Sequence, residues 1–303
     1  MLQRTLLVLF VATCTLSSGC ATVRHGLGRA LVPDQIEFLL GAQVSAQIEK
    51  DERVHPSAPL QAYVQRVTEG LLKAPRTDGP EGSEYVRRGT TRGRTDGPEG
   101  SEYAQRGTYS TQHALRDRPG VRYRVKVLDD PEQVNAFAVP GGYLYVYSGL
   151  LLIAEDEAEL AGVLAHEIGH IVGRHSINQL VSQLGMDILN DLAFGEDPHQ
   201  IGQIASQLAS ARFSRDDERE ADTFGVRYAI VAGYDPRGLL RFFEKLKKLE
   251  TRRRSDVEKL FASHPPTGER IRRIERLIDQ YGTSEGQRHR ARFVRETAVL
   301  RRK

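Results

Sequence analysis

Cysteine and long apolar runs are both scarce in this 303-residue chain, and each scarcity removes a class of protein. There are two cysteines. Cys14 lies inside the N-terminal apolar segment and Cys20 just beyond it, so a chain processed between them keeps one thiol and forms no internal disulfide. The apolar run Leu6 to Thr15 is about ten residues, half the length that crosses a bilayer as a helix. Charge of one sign is lacking too. The formal net charge of +3, from 43 Lys+Arg against 40 Asp+Glu, is too small to imply nucleic acid. Basic residues do cluster in Arg252-Arg253-Arg254 and from Arg288 to Lys303, where a solvated surface is the expected reading and a membrane or anionic-partner contact the alternative. What remains, 39% hydrophobic and 27% charged, suits a globular protein with a real core.

The N-terminus reads as an export signal: Arg4, then the apolar run, then the small residues of Leu16-Ser17-Ser18-Gly19-Cys20. Its end resembles a lipobox, with Leu16 one position earlier than in the commonest pattern. That resemblance implies a lipoprotein signal peptide over 1–19, acylation of Cys20, a tether over 20–32 and a lipid-anchored protein facing the periplasm. Ala21 after the cysteine, rather than aspartate, favours the outer membrane. An ordinary cleaved signal is the alternative.

Residues 33–74 read mainly as helix, with Ile36, Leu39, Leu40 and Val44 on one face and a second amphipathic segment from Leu60 to Leu72. The composition then collapses. Arg76 to Tyr85 recurs identically at Arg94 to Tyr103, and two copies rich in glycine, proline and charge have no face to bury, so about 75–118 is expected to be a disordered duplicated insertion. Strict alternation over Val121 to Leu128 predicts a strand, followed by strands at Val134 to Val139 and Tyr143 to Tyr147 around the turn Pro140-Gly141-Gly142. Helices are expected near 149–154, 156–173, 176–194, 199–212, 216–232, 236–250 and 266–280. A small sheet in a mainly helical body is an α+β layout.

Chemistry concentrates in Ala165-His166-Glu167-Ile168-Gly169-His170. Two histidines four apart on a helix leave the same face and supply half a tetrahedral zinc site, with a carboxylate between them as a general base. Composition alone gives His-Glu-x-x-His on the order of once in fifty chains of this length, so context must support it. Ser214 to Asp222 supplies that context. With Ala221, Gly225, Tyr228, Ala229 and Ala232 as the inward stripe of a helix, Glu218 and Asp222 flank the stripe one turn apart. Glu218 can then be a third ligand, and Asp222 can accept the free ring N–H of a ligand histidine. A solvated acidic helix start is the plain alternative.

His175 is a rival third ligand, but the pattern His-Glu-x-x-His-x-x-Gly-x-x-His requires histidine one residue later, where Ser176 stands. His175 is instead expected to be a helix-end histidine facing the C-terminal dipole. His264 precedes Pro265-Pro266, which hold the chain extended; it is either an imidazole presented to the site or part of a helix N-terminus, and both readings stand.

Together, His166-Glu167-x-x-His170, Ser214-Arg215-x-x-Glu218-x-x-Ala221-Asp222, Asn135-Ala136-Phe137-Ala138 before Pro140-Gly141-Gly142, and Ser263-His264-Pro265-Pro266 resemble the M48 metallopeptidases, the family of the CAAX prenyl proteases. The lipoprotein signal resembles that of the periplasmic LoiP-like branch, and no tetratricopeptide domain is expected after residue 280. The resemblance implies a zincin-like metallopeptidase domain over 33–280 with a small sheet next to the active-site helix, followed by a basic C-terminal tail at 281–303. It implies one Zn²⁺ per chain held by His166, His170 and Glu218, Glu167 as general base, Asp222 behind a ligand, and the His264 loop over the metal, where His264 is the candidate second catalytic residue, donating to the oxyanion or filling the open metal position at rest. The expected activity is hydrolysis of peptide bonds in unfolded or misassembled envelope proteins. An extended substrate is expected to add to the Tyr143–Tyr147 strand as a free edge. Alternatives are a non-proteolytic chaperone or assembly factor for outer-membrane proteins, against which Glu167 argues, and a zinc amidase of the cell wall.

Overall fold

A computed structural model describes residues 32–72, 118, 120–195, 197–250, 260, 262–265, 267–281 and 286–301. The expected signal peptide, Cys20, the duplicated segments at 76–85 and 94–103 and the run Arg252-Arg253-Arg254 lie outside these residues.

Apolar spacing sets the first two helices. Helix α1 (Asp34–Asp51) buries Ile36, Leu40, Val44 and Ile48, each one turn on from the last, and α2 (Ala58–Leu72) buries Leu60, Tyr63, Val64, Val67 and Leu71. Strands β1 (Arg124–Leu128), β2 (Ala136–Val139) and β3 (Tyr143–Tyr147) follow. Among the described residues they form one sheet in the order β1-β3-β2, with β3 parallel to β1 and antiparallel to β2. The expectation of a free edge at Tyr143–Tyr147 is therefore wrong: β3 is the middle strand. Its nearly unbroken apolar sequence fits burial on both faces, whereas β1 shows more alternation. The outer edge of β1 is closed as well, because the Gln61 side chain bonds both Val127 N (2.8 Å) and Val127 O (3.0 Å), and Gln65 accepts from Val125 N. The edge beside the remaining helices belongs to β2.

Two cores lie on the two faces of this sheet, as the period of two requires. Val125, Val127, Ala136, Ala138, Leu144 and Val146 face one; Leu128, Phe137, Val139, Tyr145 and Tyr147 face the other, which α1 covers. After the short α3 (Ser148–Ile153) comes α4 (Glu157–Val172), buried along its whole length. Helices α5 (His175–Leu184) and α6 (Met186–Phe194) replace the single helix expected over 176–194, broken at Gly185, whose φ of 82° belongs to glycine. The chain continues through α7 (Pro198–Ala209), α8 (Arg215–Val231), α9 (Gly238–Glu250), α10 (Gly268–Tyr281) and α11 (Arg290–Glu296).

The basic side chains of the C-terminal segment face solvent, as expected, while the segment itself is docked on the domain. Phe293 is fully buried in the core of α4 and α8. The Arg288 carbonyl accepts from the backbone of Glu157 and Ala158, satisfying two of the free N–H groups at the start of α4. Arg288 also pairs with Asp156 at 2.6 Å, and Arg292 pairs with Glu157, a buried carboxylate that further accepts from the hydroxyls of Tyr63 (2.9 Å) and Tyr234 (2.8 Å). Basic residues here hold down the first turn of the helix that carries the histidines.

Candidate metal centre

Helix α4 presents His166 and His170 from successive turns, and α8 lies across it so that its first turns face them. Gly169 permits this approach, since a Cβ there would stand 2.9 Å from the Ala221 Cα. Helix α8 itself starts at a capping box, Ser214 accepting from the Asp217 backbone and Asp217 from the Ser214 backbone, which fixes the height of Glu218 and Asp222 one turn on.

The nitrogens His166 Nε2 and His170 Nε2 stand 3.1 Å apart. Glu218 Oε2 is 3.6 Å from the first and Glu218 Oε1 is 3.4 Å from the second. His264 closes the group, with its Nδ1 3.3 Å from His166 Nε2 and 2.8 Å from Glu218 Oε1. All four side chains are buried, and one donor atom from each lies within 4.8 Å of the others. Donors around a tetrahedral zinc at 2.0–2.1 Å stand roughly 3.3 Å apart, so the contacts between these atoms match the edges of such a site. Two imidazole nitrogens, a third imidazole and a carboxylate are a donor set that zinc accepts. His166, His170, Glu218 and His264 can hold a metal ion.

Electrostatics agree with that use. Burial drives His170 well below its ordinary pKa, leaving a neutral ring with a lone pair to offer. Burial pushes Glu218 upward, but the charges of His264 and Arg270, with hydrogen bonds from His170 and His264, more than reverse this and hold it ionised. Glu167 is the opposite case: burial dominates, and its carboxyl is raised. Its Oε1 is 3.7 Å from His264 Nε2, and its Oε2 has no hydrogen-bond partner among the described residues.

Asp222 stands where the sequence places it, Oδ1 3.1 Å from His166 Nδ1, behind the ligand. His175 does not. It begins α5 instead of ending a helix, and its Nδ1 lies 2.8 Å from His170 Nδ1, on the side of that ring turned away from the donor cluster. Two further residues escaped the sequence reading. Arg270 bridges Asp222 and Glu218, and the signal for it was available: Arg270, Ile274 and Ile278 form the buried stripe of α10, and an arginine in such a stripe demands a buried partner. Phe213 stacks on His170, ring centroids 4.0 Å apart and planes 25° apart, a contact that nothing in the local sequence signals.

Comparison with known proteins agrees with this geometry. A family model described as peptidase family M48 matches residues 109–278. The chain is 35% identical over 165 residues to the metalloprotease YcaL of Escherichia coli (strain K12), covering 52% of this chain and 62% of that protein. It is 33% identical over 205 residues to the metalloprotease LoiP of the same organism, covering 65% and 72%. A third relative, the mitochondrial metalloendopeptidase OMA1 of Arabidopsis thaliana, is 37% identical over 131 residues, 43% of this chain but 27% of that protein. The match thus spans under two thirds of YcaL and about a quarter of the plant protein. With the matched model covering more than half of the sequence and including the two-histidine helix, the chain belongs to peptidase family M48.

Proposed function

We propose that this protein is a zinc-dependent endopeptidase that hydrolyses peptide bonds in unfolded or misassembled envelope proteins. The observation that carries the reading is the placement of Glu167, a buried carboxylate with a free oxygen, beside the converging His166, His170 and Glu218. Zinc held by those three residues supplies Lewis acidity, acidifying water and polarising a carbonyl. Glu167 takes the proton of the attacking water and returns it to the leaving amine, work suited to a carboxyl whose pKa lies above the ordinary range. Asp222, its Oδ1 3.1 Å from His166 Nδ1, stands as the carboxylate that orients the His166 ring. The donor cluster is buried, so an extended segment would reach it more readily than a folded one, which favours loosened substrates.

The export signal and Cys20 support a periplasmic location, lipid-anchored and directed to the outer membrane. Among the described residues no helix is long and apolar enough to cross a membrane. One observation favours a second reading. His264 fills the fourth donor position, and closed four-ligand sites are characteristic of structural zinc, as in a non-proteolytic assembly factor. The two readings separate on Glu167→Gln, which keeps every donor atom. The peptidase reading expects zinc-loaded wild type to cleave casein and Glu167→Gln to bind zinc equally and cleave nothing. Casein cleavage by Glu167→Gln at the wild-type rate sinks the mechanism, absence of cleavage by either protein favours the assembly factor, and cleavage of cell-wall fragments alone points to an amidase.

A further inference from the structure

We propose that His175 is a positioning residue for the metal ligand His170, linking that ring to the carboxylates of α8. This inference rests on the zinc reading of the site. The turn after α4 folds the chain back on itself: Arg174 takes the left-handed conformation, φ 52°, and is held there by Glu37 at 2.7 Å and the Val32 carbonyl at 2.8 Å. His175 is thereby returned to the base of His170, buried, with ring planes at 78° and Nδ1 atoms 2.8 Å apart.

Two ring nitrogens at that distance share one proton. His170 must leave Nε2 bare to bind metal, so its proton sits on Nδ1 and is donated to His175 Nδ1. His175 then carries its own proton on Nε2, which points at Glu220 Oε2 (3.4 Å) and Asp217 Oδ1 (3.5 Å). Every proton in the series has an acceptor, and the order fixes both tautomers. The two ligand histidines are therefore held differently, His166 directly by Asp222 and His170 through a second imidazole. Gly173 makes room for this: a Cβ at that position would run into the His175 ring. Partners of this kind, bonded to the outer nitrogen of a ligand histidine, orient the ring and raise its basicity.

The test compares His175→Asn, whose amide oxygen can take the place of Nδ1 as acceptor, with His175→Phe, which keeps a ring but offers no acceptor. Zinc affinity is measured by competition with a chromophoric chelator, and the geometry at the metal by the visible spectrum of the cobalt-substituted protein. Melting of the metal-free variants reports folding separately. We expect His175→Phe to lose zinc affinity about 10- to 100-fold with an altered cobalt spectrum, and His175→Asn to stay within a few-fold of wild type. Glu220→Leu, on the rim of the site, should weaken zinc binding in the wild-type background and have no effect in the H175N background. Equal zinc affinity and identical cobalt spectra for His175→Phe and wild type overturn the proposal, as does an Asn variant as weak as the Phe variant. Should His175→Phe not fold, His175→Leu, which likewise offers no acceptor, takes its place, and zinc affinity equal to wild type overturns the proposal. Failure of the wild-type protein to bind zinc or cobalt would instead remove the zinc reading itself.

Discussion

Arg270 grips Asp222 with two prongs, Nε to Oδ2 at 2.9 Å and Nη2 to Oδ1 at 2.7 Å, with both side chains buried. Its remaining nitrogen, Nη1, stands 2.6 Å from Glu218 Oε2, so one guanidinium from α10 offsets two carboxylates of α8 that face the metal ligands. Arg270 and His166 keep the Asp222 carboxyl below its ordinary range against the upward push of burial. The fork geometry makes this a role for arginine and not for lysine.

Arg270→Met strands two buried carboxylates and is expected to destabilise the metal-free protein by about 3–5 kcal/mol. Arg270→Lys should recover only part of this, since a point charge cannot bridge both partners. Urea denaturation of the three metal-free proteins measures it, and a Met variant within about 1 kcal/mol of wild type would show the pair to be incidental.

Glu167 sets activity against stability. Its folded-state pKa is raised by burial, so the ionised form is disfavoured in the folded protein. The associated stability is complete below the ordinary value of 4.5 and is lost as pH rises through the folded value. Metal-free Glu167→Gln should therefore melt above metal-free wild type at neutral pH, with a gap that narrows on acidification and closes below the ordinary value of 4.5. Calorimetry over a pH series reads the gap directly. A gap that widens towards acid would reverse the sign of the shift.

His264→Ala leaves His166, His170 and Glu218 in place, so zinc should remain bound with modestly lower affinity. Removing the fourth donor opens the position that substrate must reach, and casein cleavage is expected to rise. Zinc content by elemental analysis and cleavage rate are measured together. A variant that retains zinc but cleaves more slowly would assign His264 to stabilising charge on the reacting carbonyl.

Phe293→Ala empties a fully buried aromatic site beneath α4 and should cost about 3–5 kcal/mol. Arg292→Ala removes the cation paired with the buried Glu157 and should also destabilise, by a smaller amount because Arg292 is half exposed. Chemical denaturation compares the two. If both substitutions were neutral, the C-terminal segment would contribute nothing to the domain.

The chain's own periodicities fixed a great deal in advance. His166 and His170 share a face because four residues make a turn, and Glu218 and Asp222 follow for the same reason on a second helix. Strand β3 matched its expected bounds, since a run of Tyr, Leu, Tyr, Val, Tyr has few other places to go. Local signals were weaker where a single residue interrupts a pattern. Gly185 splits an apolar stretch that reads as continuous, because the amphipathic spacing survives on both sides of the break.

What sequence alone determined is what local geometry determines: most of the helices and strands, which side chains share a face, and hence His166, Glu167, His170 and Glu218 as candidates for one site. Tertiary structure decided the rest. The place of β3 in the middle of its sheet, the contact of His175 with His170 across a left-handed turn, the reach of Arg270 from α10 to two carboxylates on α8, and the docking of Phe293 under the active-site helix all join residues by packing. A periodicity is written into neighbouring residues, whereas the partner of a buried charge or ring is chosen by whichever distant segment fills the space beside it.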